Sequence, residues 1–221
     1  MPYIDQSQGF TNKVNLWGVS GIIVLSYLFI TFMSNQYIFG EEVYVRSFSD
    51  KLSAQSIEAF LGVREKYSLW GYVTIPIVIA IKVSFSAICI SIGAVLSNIS
   101  FKFKAIFRMV LLAEVVFIVA QLLYLVNVSF HLDTLTLETA ANYYPLTMLS
   151  YFGAENVVDW LQYPLQTLNL FEVAYTAVIG WLLSKQWKEG FAESMLVVLP
   201  SYATGLILWL VFVTFITLQV S

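Results

Sequence analysis

The sequence predicts an all-α integral membrane protein, a single membrane domain (1–221) of five transmembrane helices with interfacial amphipathic helices on the outer side. Three observations carry this expectation. The 221 residues are 59% hydrophobic and only 11% charged, whereas soluble domains carry about a quarter charged residues. The apolar residues gather in five runs, about 16–33, 70–96, 105–128, 165–183 and 195–218, each near or above the ~20 residues a helix needs to cross a bilayer. The bases are shared unequally among the segments that join these runs.

The first run, Leu16–Met33, is uncharged and is followed by Ser34, Asn35, Gln36 and Tyr37 rather than by a small-x-small cleavage site, so it reads as a retained span. In outer segment 34–69, Leu52, Ile57, Phe60 and Leu61 approximate one helical face, with Ser53, Gln55, Glu58 and Arg64 elsewhere on the wheel. That pattern predicts an amphipathic helix lying on the membrane and leading into the second span at Trp70. Runs two and three are joined only by Ser97–Lys104, which makes them antiparallel neighbours. Outer segment 129–164 carries Tyr143, Tyr144, Tyr151, Phe152, Trp160 and Tyr163 among Asp133, Glu138, Glu155 and Asp159. Aromatic rings with a polar edge suit the headgroup zone, and Pro145 and Pro164 divide the segment into interfacial helices. Pro76 and Pro200 predict kinks in the second and fifth spans.

Lys102, Lys104 and Arg108 crowd one short loop, Lys185 and Lys188 another, and segment 129–164 has no Lys or Arg. Bases collect on the cytoplasmic side. The expected topology therefore has a cytoplasmic N-terminus, with Lys13, and an outside C-terminus, in a bacterial inner membrane. Arg46, Lys51, Arg64 and Lys66 in segment 34–69 run against this and are offset there by Glu41, Glu42, Asp50, Glu58 and Glu65. The segments Gly40–Tyr67 and His131–Pro164 are expected to pack together as an outer cap.

Lys82, Glu114 and Glu172 interrupt the apolar runs. Such a charge costs roughly 2.5–3.5 kcal/mol near mid-membrane on insertion scales, so it faces a partner, a cavity or a subunit. At a rise of ~1.5 Å per residue, Lys82 lies about 18 Å inward of Trp70 and Glu114 about 21 Å inward of Val128. Matching depths on neighbouring helices predict a salt bridge. Glu172, about 10 Å from the outer start of its run, is one or two turns shallower and within reach of the pair through Asn169, Gln121, a tyrosine or water. Two carboxylates near one amine suit helix fastening, proton or ion handling, or contact with another subunit.

Other chemistries find no support. Net charge is −3 and the bases are scattered, which sets nucleic acid aside. There is no His-Glu-x-x-His, no Gly-x-Ser-x-Gly and no phosphate loop, so neither enzymatic activity nor a cofactor is expected. His131 is the only histidine and Cys89 the only cysteine, which predicts neither a metal site nor an internal disulfide. Glu155 and Asp159, one helical turn apart, read as a solvated helix face. Asn98 and Asn127 fit the glycan acceptor pattern at the membrane boundary.

The fourth run reads Leu165-Gln-Thr-Leu-Asn-Leu-Phe-Glu-Val-Ala-Tyr and closes in Ile179-Gly180 before a basic turn. With five spans in this direction, it resembles the Yip-type five-span membrane family over the last four spans. The resemblance implies partner binding and membrane traffic, with no catalytic residues to carry over. A short cytoplasmic N-terminus and long outer segments depart from that family and point to partners outside. The function expected is a non-enzymatic scaffold or accessory subunit of a membrane complex, such as an exporter or envelope assembly. Its partners are membrane lipid and other membrane-protein subunits, met through Tyr151, Phe152 and Trp160. The alternative is a small proton- or ion-coupled transporter using Lys82, Glu114 and Glu172.

The distribution of bases yields a direct test. Single cysteines at Glu155 and Lys188, with Cys89 removed, are expected to react with impermeant reagents from opposite sides; labelling of both from the cytoplasm would sink the five-span topology.

Overall fold

The computed structural model describes residues 15–49, 52–142 and 146–220. Lys13, Lys51, Tyr143, Tyr144 and Pro145 lie outside these. The secondary-structure elements of the described residues are all helical, with an isolated antiparallel bridge between Thr147 and Asn169 as their only β-type pairing. In chain order the helices are α1 (Leu16–Met33), α2 (Glu41–Phe48), α3 (Ala54–Leu96), α4 (Phe103–Ala113), α5 (Val115–Ser129), α6 (Leu137–Asn142), α7 (Met148–Phe152), α8 (Asp159–Thr167), α9 (Leu170–Trp187) and α10 (Phe191–Val220). Four stretches are long and apolar enough to cross a membrane: Leu16–Ile38, Ala54–Leu96, Phe103–Ser129 and Phe191–Gln219.

Local chemistry sets several boundaries. Asn15 caps α1 by accepting a hydrogen bond from the Trp17 amide at 3.2 Å, and Ser53 caps α3 through the Ser56 amide at 3.3 Å. Such caps satisfy amides that have no partner within the helix. α1 widens into a π-turn over Ser34–Ile38. α4 and α5 form one rod interrupted only at Glu114, where the helix tightens: the Glu114 amide donates to Leu111 O at 3.1 Å and the Phe117 amide to Glu114 O at 3.0 Å. α3 and α10 continue through Pro76 and Pro200.

The 43-residue α3 corrects one expectation. The amphipathic stretch before Trp70 and the second span are a single helix, not a surface helix followed by a crossing. At ~1.5 Å per residue α3 is about 65 Å long, roughly twice the ~30 Å hydrocarbon core. Ala54–Trp70 contains no proline, so every amide there can donate and the hydrogen-bond ladder continues. The fourth run is also displaced, because α9 starts at Leu170 rather than Leu165 and continues to Trp187. Three hydrogen bonds fix that start. Met148 and Leu170 amides donate to Leu168 O and Leu146 O at 2.9 and 3.1 Å, and Asn169 Oδ1 accepts from the Glu172 amide at 2.9 Å. Leu168 is thereby held extended between α8 and α9.

α9 is the centre of the bundle, with Tyr175, Ile179 and Leu183 fully buried. α10 packs along both α9 and α3, and α4 packs against the same two helices. On α3 the buried stripe is Val83, Ala87, Ile90 and Ala94, spaced four, three and four residues apart as one helical face requires. Small residues let the helices approach, as they must where lipid supplies no hydrophobic drive between them. A Cβ on Gly93 would overlap the Ser201 side chain of α10, and one on Gly180 would overlap Met195.

The two segments expected to form one cap pack as two separate parts. Arg46 of α2 donates to the Leu132 and Leu135 carbonyls at 2.7 and 3.0 Å, Ser47 accepts from the Leu137 amide at 2.8 Å, and Ile38, Val43, Tyr124, Val128 and Leu135 close over a small second core. The Arg46 guanidinium is thus engaged with the carbonyls at either end of the 3-10 turn Leu132–Thr134. α7 and α8, which carry Tyr151, Phe152 and Trp160, pack on each other instead, and α8 packs on α10.

The close approach at Gly93 generates a prediction. Gly93→Leu must push α10 away from α3 and is expected to lower stability by roughly 1–3 kcal/mol, the usual penalty for overpacking. Thermal unfolding in mild detergent measures it, and an unchanged midpoint would contradict this packing.

Candidate functional site

The structure brings Lys82 of α3 and Glu114 together. Lys82 Nζ lies 3.2 Å from Glu114 Oε2. Glu114 is completely buried, while the Lys82 side chain keeps 35% of its surface exposed. Tyr27 of α1 donates from its hydroxyl to the same Oε2 at 3.2 Å. The ammonium also sits 3.4 Å from the centroid of Phe117 on α5 and 5.3 Å from that of Tyr175 on α9. Ring faces attract a cation by ~2 kcal/mol or more when water is excluded. The pair therefore ties together α1, α3, α9 and the α4–α5 rod.

One face of the cluster is not saturated. Glu114 Oε1 and the Tyr175 hydroxyl are both buried without a hydrogen-bond partner, although Glu114 and Ser86 are the polar neighbours of that hydroxyl. An acceptor and a donor thus lie side by side without bonding geometry. Such groups cost about 1–3 kcal/mol each when left unmade.

Glu172 stands apart from this pair but not far from it. Tyr202 of α10 donates to Glu172 Oε2 at 2.6 Å, and the rings of Tyr202, Tyr175 and Phe117 follow one another at centroid distances of 5.5 and 4.8 Å. The link between the carboxylates is thus aromatic. Asn169 contributes by capping the Glu172 amide rather than by bridging the side chains. Lys82 and Glu172 both line two cavities that meet beside them. The first, about 410 Å³, is walled by α3, α8, α9 and α10, and the second, about 340 Å³, adds Phe117, Gln121, Gln166 and Asn169.

Tyr27, Phe117, Tyr175 and Tyr202 escaped the sequence reading. The signal available was their position: these rings lie inside apolar runs, away from the boundaries where aromatic rings gather.

The other predicted groups lie elsewhere. Tyr151 and Phe152 stack edge to face at 5.4 Å on α7, Tyr151 being 82% exposed, and Trp160 is exposed near the start of α8. Glu155 sits in a 3-10 turn, Ala154–Asn156, and Asp159 opens α8; they do not share a helix face, because the extended Val157 and Val158 break the helix between them. His131 Nδ1 lies 3.1 Å from the Asn127 carbonyl. Among the described residues no group of three or more His, Cys, Asp or Glu is arranged to hold a metal ion.

A double-mutant cycle tests the pair. Removing one member of a buried ion pair strands the other at about 3–5 kcal/mol, and the partial exposure of Lys82 puts the expected loss near the lower figure. Lys82→Met and Glu114→Gln are each expected to destabilise the protein in detergent, while the double variant recovers much of the loss. Strictly additive losses would mean that the two side chains do not interact.

No family model, curated protein or solved structure matches the chain. What stands on the geometry alone is an all-helical protein with four helices long and apolar enough to cross a membrane, fastened internally by an ion pair.

Proposed function

We propose that this chain is a non-enzymatic scaffold or accessory subunit of a larger inner-membrane assembly, of the exporter or envelope kind. One observation carries the reading: Lys82 and Glu114 are engaged with each other and with Tyr27 and Phe117, so the costliest charges hold the bundle together. α9 serves as the fifth crossing in this reading. Its 18 residues reach about 27 Å, close to the ~30 Å of hydrocarbon. The N-terminus is then cytoplasmic and the C-terminus outside, as in the Yip-type five-span arrangement that the fourth run resembles.

The partner surface is the α7–α8 part of the cap. Thr147 and Ser150 form a reciprocal capping box, and the Thr147–Asn169 bridge ties this corner to α9. Tyr151 and Phe152 are thus exposed rings on a fixed mount. Aromatic residues already held in place bury area at little entropic cost, as interface anchors do.

A second reading, a small proton- or ion-coupled transporter, is favoured by Glu172, whose carboxylate meets a tyrosine hydroxyl rather than a cation. Five helices leave little room for the paired repeats on which many transporters depend, so it ranks second.

Tyr151→Ala, Phe152→Ala and Trp160→Ala are expected to reduce co-purification of other membrane subunits from the native host about tenfold or more when combined, as loss of interface anchors does, with insertion and melting unchanged. Undiminished co-purification, or a chain that purifies alone and carries protons in liposomes, would overturn the accessory-subunit reading.

A further inference from the structure

We propose that the larger cavity, between α3, α8, α9 and α10, binds an organic cation with a hydrophobic body, with Glu172 as its counter-charge. The site does not depend on the accessory-subunit reading. Charge comes first. Of the residues lining the two adjoining cavities, only Lys82 and Glu172 are charged. Lys82 is already matched by Glu114 at 3.2 Å, so the three groups together carry one net negative charge and the excess lies on Glu172. Tyr202 occupies Oε2 of that carboxylate, which leaves Oε1 without a partner among the described residues. A carboxylate in a medium of low dielectric attracts a cation far more strongly than one in water.

The walls select what kind of cation. At about 410 Å³ the cavity is within the range of small-molecule sites. Val78, Ile81 and Leu206 supply aliphatic surface, and Phe85 and Trp209 supply two rings at 6.1 Å, tilted by 53°. The Trp209 indole N–H is spent on the Tyr163 hydroxyl at 3.0 Å, so the indole has no donor left for a ligand. Aromatic faces with one carboxylate recognise ammonium and other soft organic cations, whose hydration is weak and whose charge is spread. An anion of the same shape would meet Glu172 unscreened. Two sources have this chemistry, a free lipophilic cation and the amine of a lipid head, and the experiment separates them.

Tetraphenylphosphonium and tetraphenylborate, alike in shape and opposite in charge, serve as probes in equilibrium dialysis against the purified full chain in maltoside detergent. The phosphonium is expected to bind saturably and the borate not. Glu172→Gln should weaken phosphonium binding by about tenfold or more, whereas Glu172→Asp, which keeps the charge, should retain most of it. Thermal unfolding of each variant separates loss of charge from loss of fold. If Glu172→Gln does not fold, Ile81→Trp, which fills the cavity from α3, carries the test and is expected to abolish binding. Displacement of the probe by phosphatidylethanolamine assigns the site to a lipid amine, and indifference to that lipid assigns it to a free cation; both support the chemistry. Equal phosphonium binding by wild type and Glu172→Gln, retention in Ile81→Trp, saturable borate binding of the same strength, or no saturable phosphonium binding would each overturn the proposal.

Discussion

The arrangement of the bundle depends on burying a carboxylate that water can no longer reach. Glu114 has no exposed surface, and withdrawing such a charge from water costs several kcal/mol even after relaxation. Lys82 and the Tyr27 hydroxyl offset that cost, the Phe117 ring holding the ammonium in place, and the two partners come from helices other than the rod that carries Glu114. Every one of those helices must be at the right depth and rotation for the carboxylate to be compensated. The tightened turn at Glu114 contributes, because a helix that locally shortens its hydrogen-bond ladder rotates the residues beyond it. A polar requirement in the middle of an apolar bundle thus fixes a register that aliphatic packing alone would leave loosely specified.

Much of this was legible in the sequence, for identifiable reasons. Composition and run length pointed to long apolar helices because the bilayer imposes a minimum length. The Lys82 and Glu114 contact followed from counting residues inward along two neighbouring helices, since helical rise is nearly constant. The extent of α3 was hidden because hydropathy falls at Trp70 while the backbone hydrogen bonding does not: polarity reports the environment, and the helix runs on across that change and past Pro76. The start of α9 was misplaced for the opposite reason. Leu165 and Leu168 adjoin the apolar run and look like span, yet Leu168 is held extended where its carbonyl accepts from the Met148 amide and the Leu170 amide donates to the Leu146 carbonyl, a long-range pairing with no local signature.

The candidate site was half visible. Charges in apolar runs advertise themselves by their expense, and so Lys82, Glu114 and Glu172 stood out. The tyrosines that accompany them did not, because a tyrosine in an apolar run is unremarkable until its hydroxyl is seen to face a carboxylate. The same limit applies to the cap. Its aromatic content could be read off the sequence, but not its division into an α2–α6 part anchored by Arg46 and an α7–α8 part resting on α10.

The length of α3 gives the molecule a mechanical asymmetry. With Lys82 as the anchored point, the arm toward Ala54 spans twenty-eight residues and the arm toward Leu96 fourteen, about 42 and 21 Å. The shorter arm is clamped along its length, with Val83, Ala87, Ile90 and Ala94 buried against the neighbouring helices, so a sideways push at the Ala54 end meets a fixed root rather than a free far end. Pro76, six residues outward of Lys82, cannot donate to the carbonyl four residues before it, which makes it the most compliant point on the long arm. Any bending of the rod is thus concentrated at that joint, and the segment around Lys82 stays in place.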